Sequence, residues 1–182
     1  PCRPLTAQQP TGMMLGEGAV SFLLAPEEAC PDQQPLAWVE GFGYGRDPAE
    51  SPTGSSPGGE GVRAAMQMAL GSTPPGAIDL VQAHAPGTRQ GDQAEVRALR
   101  ESFGDAGPPV YTNKWLLGHS YGAAGLMQAW LALGLWGRQP PQLPYEAVFS
   151  AGRRRAVERI LINTTGFGGV AASLLLAAPG SP

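Results

Sequence analysis

"PPVYTNKWLLGHSYGAAGLMQAWLALGLW", residues 108–136, holds three kinds of segment in one run. "PPVYTN" has the apolar, β-compatible character of a short strand. From about Ser120 to Trp136 the residues are apolar on most sides, which predicts a buried helix. Between them lie Lys114 and His119, the chain's only lysine and one of its two histidines. A strand that hands over to a buried helix is the unit of a layered α/β fold.

Working outward, the same alternation recurs. "LGEGAVSFLLA" (15–25) reads as a strand, with small and β-compatible residues and no helix cap, and "LAWVEGFGYG" (36–45) as a second. "RDPAESPTGSSPGGEG" (46–61) is a long polar loop, and "VRAAMQMALG" is a helix that stops at Gly71. Ile78 to Ala83 forms a short buried strand that breaks at Pro86-Gly87. "GDQAEVRALRESFG" (91–104) is amphipathic, with Asp92 expected as its N-cap and Glu95 in its first turns. "RILINTTGFGGVAASLLLA" (159–177) reads as two strands joined by a glycine-rich turn. The predicted order is ββαβαβαββ, without internal repeats.

Composition narrows the function. The 182 residues are 42% hydrophobic, enough for one domain with a real core. The formal charge is −3, the pI is near 5.3 and no basic stripe exists, so no nucleic-acid partner is expected. Cys2 and Cys30 form no CxxC pair, which leaves a zinc or redox site unsupported and points to a reducing, cytoplasmic setting. No apolar run reaches the ~18 residues of a membrane span. The chain opens on Pro1 with no visible signal peptide and is expected to be one half of something larger.

Three loops follow predicted strands. They carry His84, then Lys114 with His119, then "GFGG" at 166–169. Ligands gather beyond the carboxyl ends of strands in such sheets, so the three loops are expected to face one pocket. Two neutral imidazoles there suit an enolate or oxyanion. To share one oxygen their Nε2 atoms would stand roughly 5–7 Å apart. A lysine beside them would lower a histidine's pKa and keep it neutral.

These segments resemble the C-terminal half of the β-ketoacyl synthases, the thiolase-fold condensing enzymes of fatty-acid and polyketide synthesis. The residues that carry the resemblance are "GEGA" (16–19), "QAHAPGTRQGDQAE" (82–95), "KWLLGHSYGAAG" (114–125) and "NTTGFGG" (163–169), in the family's order and spacing. The fold implied is the C-terminal half of a thiolase-like αβαβα sandwich, occupying residues 1–182. The resemblance implies catalytic roles for His84 and His119 in malonyl decarboxylation and enolate stabilisation, with Lys114 as the active-site lysine. It implies that Thr88 lies near a phosphopantetheine arm, and that Phe167, with Gly168, forms a gating, substrate-binding turn. The reaction implied is a decarboxylative Claisen condensation with malonyl-acyl carrier protein. It needs no metal and no cofactor beyond the carrier's phosphopantetheine.

The implied partners are acyl carrier protein and an N-terminal ketosynthase half or second ketosynthase-like subunit, in a homo- or heterodimer. The family's nucleophilic cysteine belongs to that other half; neither Cys2 nor Cys30 is a candidate. Pro86, Gln128 and Thr165 stand where the family has threonine, glutamate and phenylalanine, and the "PFDxxRxG" run before GEGA is eroded. Those departures keep two alternatives open: a non-catalytic chain-length-factor-like subunit, or a ketosynthase-like decarboxylase or acyltransferase.

Overall fold

The computed structural model describes residues 2–6, 11–29, 32–48, 56–148 and 155–180. Cys30, part of the 46–61 loop and part of the arginine-rich stretch near 153 lie outside them. The elements are β1 (Trp38–Arg46), α1 (Glu60–Leu70), β2 (Leu80–Gln82), α2 (Arg89–Phe103), β3 (Val110–Tyr111), α3 (Lys114–Leu117), α4 (Ala124–Leu133), β4 (Arg159–Gly166) and β5 (Val170–Ala177). The strands form one sheet in the order β1-β5-β4-β2-β3. β1, β5 and β4 pair antiparallel, whereas β2 runs parallel to both β4 and β3. The carboxyl ends of β2, β3 and β4 therefore share one edge of the sheet.

Period-two alternation divides the core between two faces. Leu161 of β4 and Leu175 of β5 pack with Val62, Met66, Leu70 and Leu99 of α1 and α2. Their neighbours Ile160, Ile162 and Leu176 pack on the other face with Ala129 and Ala132 of α4. On β1 the alternation takes an unusual form, glycine against aromatic. A Cβ at Gly41, Gly43 or Gly45 would collide with the α1 carbonyls of Ala69, Ala65 and Gly61 respectively. Helix and strand backbones are therefore in direct contact. Gly43→Ala is expected to destabilise by about 1–3 kcal/mol through overpacking. The check is a lower urea midpoint at constant slope; an unmoved midpoint contradicts this packing.

The intervening residues of β1 point to the α4 side and stay uncovered: Phe42 is 57% and Tyr44 65% exposed. Trp130 and Leu126 of α4 are also exposed. Exposed apolar side chains of this kind on a sheet and a helix are candidates for an interaction face.

Three local expectations need correction. Residues 15–25 form no strand. Their one backbone pairing is a bridge between Leu15 and His119, because glycines at 16 and 18 serve close approach to α4 and its preceding loop, not a ladder. The helix expected from Ser120 begins at Ala124, after a 3-10 turn over Tyr121–Ala123 in which Tyr121 has a φ of 49°, and it ends at Leu133. A further short helix, α3, begins at Lys114 itself.

Candidate functional site

β2 ends at Gln82 and delivers His84 into a tight loop, with φ values of 37° at Ala85 and 85° at Gly87. Two carboxylates of α2 hold this loop. Glu95 accepts the backbone N–H groups of His84 (2.9 Å) and Ala85 (2.7 Å), and the Nδ2–H of Asn163 (3.3 Å). Asp92 accepts those of Gly87 (2.8 Å) and Leu5 (2.7 Å). Asp92 is thus no N-cap. That role falls to Thr88, whose hydroxyl accepts the Gly91 N–H at 3.3 Å. An N-cap lies outside the helix, whereas Asp92 sits inside it on the buried face. Glu17 of "GEGA", in contrast, is exposed.

Lys114 is 2% exposed, and its Nζ donates to the His84 carbonyl oxygen. Burial pulls its pKa down to about 8, against the opposing pull of Glu95 and Asp92. Burial also pushes Glu95 up, and Asp92 up to about 6. A buried cation bonded to the histidine loop through the His84 carbonyl thus lies in the field of two buried carboxylates.

His119 follows Gly118 at the end of α3. Its Nδ1 accepts the Tyr121 N–H at 3.0 Å, which places the proton on Nε2. That Nε2 lies 3.2 Å from the Nε2 of His84, with the rings edge to face. Given the proton on His119, His84 accepts at Nε2 and carries its own proton on Nδ1, 3.4 Å from the Thr164 hydroxyl. The rings are closer than the 5–7 Å expected of imidazoles sharing an oxygen, because each is the other's hydrogen-bond partner here. Burial is the first cause holding both histidines below the ordinary imidazole pKa, His84 well below it, and the Lys114 charge is the second. The lysine effect has the expected direction but is not the larger cause.

The segments after β2 and β3 therefore meet through His84 and His119 with Lys114, joined by Thr164 from within β4 and not by the glycine-rich turn that follows it. Thr88, Phe167 and Gly168 stand outside this buried cluster. Thr88 is exposed and occupied with capping, Phe167 is 69% exposed, and Gly168 has a φ of 78° in the turn. Gln128 is buried, and its Nε2–H donates to Ala83 O at 2.7 Å, next to His84. Cys2 is buried with its thiol pKa pushed up, chiefly by burial, unlike an activated nucleophile.

A mixed sheet sandwiched by helices, with paired histidines and a buried lysine at its parallel strand ends, defines the class: a thiolase-fold ketosynthase half. The family description "Beta-ketoacyl synthase, C-terminal domain" matches residues 36–136, and the chain belongs to that family. It is 33% identical to the tetracenomycin polyketide synthase ketoacyl synthase alpha subunit of Streptomyces glaucescens, over 92% of this chain and 43% of that protein. It is 36% identical to 3-oxoacyl-[acyl-carrier-protein] synthase 2 of Mycobacterium bovis, over 72% of this chain and 32% of that one. The solved ishigamide ketosynthase/chain length factor superposes with a TM-score of 0.82 at 28% identity, covering 98% of this chain and 47% of its own. The chain spans less than half the length of these relatives.

Proposed function

We propose that residues 1–182 form the C-terminal domain of a β-ketoacyl synthase, an acyltransferase catalysing decarboxylative Claisen condensation. The observation that carries this reading is the His84–His119 Nε2 pair, 3.2 Å apart, with the Lys114 ammonium bonded to the His84 carbonyl. In this reaction malonyl on a carrier protein loses carbon dioxide, and the resulting enolate carbon attacks an acyl thioester on an enzyme cysteine. A carbon–carbon bond forms, the cysteine's carbon–sulfur bond breaks, and the sulfur leaves as thiolate.

The developing negative charge sits on the malonyl thioester oxygen. His119, with its proton fixed on Nε2, donates to that oxygen. The same oxygen, entering between the rings, replaces the histidine–histidine hydrogen bond. His84 then donates as well once its proton moves to Nε2, and the Thr164 hydroxyl can reverse its role to donate to Nδ1. Neutral imidazoles are the right donors, and burial with the nearby ammonium keeps them neutral.

Thr88, Phe167 and Gly168, on the loops beyond the strand ends, are assigned to the phosphopantetheine arm of acyl carrier protein, and no other cofactor is invoked. The apolar face of Phe42, Tyr44 and Trp130 is assigned to the N-terminal ketosynthase half, within a dimeric, cytoplasmic assembly. Among the described residues no helix is long and apolar enough to cross a membrane. The substitutions Pro86, Gln128 and Thr165 favour a second reading, a chain-length-factor-like subunit without turnover.

Reconstitution separates the two. Supplied with the N-terminal half, the protein is expected to gain acyl mass from an acyl thioester and to release carbon dioxide from malonyl carrier protein. The chain alone is expected to do neither. Condensation by the chain alone overturns the division of labour. Absence of both acylation and carbon dioxide release favours the second reading.

A further inference from the structure

The two histidine loops are joined by a segment the chemistry above does not use. Gly12 N–H donates to Gly87 O at 3.1 Å, in the loop that follows His84. Two residues on, Met14 O accepts the His119 N–H at 2.8 Å, and Gly16 N–H donates to His119 O at 3.0 Å. Both backbone polar groups of His119 are thus bound to this segment. The contact leaves no room for side chains. A Cβ at Gly16 would collide with the Leu117 carbonyl oxygen, and one at Gly118 would lie 2.7 Å from Leu15 O. A Cβ at Gly87 would lie 2.7 Å from Gly12 O.

We infer that residues 12–16 are a positioning strap that sets the distance and orientation of His119 relative to His84, with Gly16 as the residue that allows it. The strap touches no reacting atom and acts through the two histidine loops. An inserted Cβ would push Leu117 and Gly118 outward and carry His119 with them. The Nε2 atoms would separate, and His119 Nδ1 would lose the Tyr121 N–H that fixes its tautomer. Gly18 supplies an internal control. A Cβ there would meet only the tip of Met127, a flexible side chain that can give way.

The catalytic part of this inference rests on the ketosynthase reading; the geometric part does not. The experiment compares Gly16→Ala with Gly18→Ala in the synthase assembled with its N-terminal half. Three quantities are measured: acyl uptake, carbon dioxide release from malonyl carrier protein, and the His119 imidazole nitrogens by long-range 15N correlation. Gly16→Ala is expected to lose the Nδ1-acceptor signature and to release carbon dioxide about 100-fold more slowly, as for a misplaced reacting group. Its acyl uptake should persist, and Gly18→Ala should match the wild type in all three.

A Gly16→Ala protein with an unchanged His119 spectrum, or with no greater loss than Gly18→Ala, overturns the strap. If the wild type itself releases no carbon dioxide, the functional reading fails while the imidazole spectrum still tests the strap. If Gly16→Ala does not fold, the wild type carries the test through native-state exchange in mild denaturant. Loss of Gly16 amide protection and of the His119 signature in one step supports the strap, and a His119 signature that survives its opening overturns it.

Discussion

Replacing His119 by alanine in the assembled synthase is expected to slow malonyl decarboxylation by about 10²–10³-fold, the usual cost of removing an oxyanion donor. On the proposed division of labour, acyl transfer to the cysteine of the other half should continue. His84→Ala is expected to cost a similar factor. The double variant should be little worse than either single one, because the rings act as a unit at 3.2 Å. The pH profile carries a second signature. Both imidazole pKa values lie below the ordinary range, so the acid-side fall in decarboxylation should come at lower pH than an ordinary imidazole would give, as the rings take up protons. Carbon dioxide release and acyl mass, followed separately, check this. Full decarboxylation by the double alanine variant would remove the histidine pair from the mechanism.

Much of this was legible in the residues, because the signals are local. Strands β1, β4 and β5 and helices α1 and α2 have clean period or stop signals, and they stand within a residue or two of their expected bounds. His84, Lys114 and His119 were legible because each follows a strand, and strand ends share an edge. Residues 15–25 misled because glycine-rich extended backbone looks alike whether it joins a ladder or straps a loop. Ser120 to Ala123 misled because their composition suits a helix, whereas the left-handed Tyr121 serves to aim an N–H at His119.

The largest omission was the carboxylate cradle. Asp92 and Glu95 lie three apart, and Val96 and Leu99 share their helical face. That spacing places both carboxylates on the buried side and was available from sequence. What it could not supply was the partner, since His84 N–H and Lys114 Nζ reach the cluster only through the tertiary fold.

That cradle ties Lys114 to the stability of the fold as well as to the proposed site. Lys114→Met keeps an apolar side chain of similar length, so cavity formation contributes little. It removes a cation in the field of two carboxylates that are themselves buried, Glu95 at 1% and Asp92 at 4% exposure. Removing the ammonium also removes its own desolvation penalty, so the net loss is expected to be about 1–3 kcal/mol, mainly from the buried His84 carbonyl left without its donor. The sign of the pH dependence follows. Burial has already raised both carboxyl pKa values, Asp92 to about 6, and the ammonium holds them back. Without it they rise further, so the deficit should be greatest above neutral pH and shrink as acid protonates the carboxylates. The wild type has a pH dependence of its own. With Lys114 at about 8 when folded and near 10.5 when unfolded, the unfolded chain binds more protons between these values, and stability rises with pH across that window. Lys114→Met lacks this rise. Urea midpoints from pH 5 to 10 measure both effects. Adding Glu95→Gln to Lys114→Met should recover part of the loss, because one buried charge then disappears with its partner. Equal midpoints for wild type and Lys114→Met at pH 7.5 would mean that the carboxylates find compensation elsewhere, and the amides of Leu5, His84, Ala85 and Gly87 would then be sufficient to hold them.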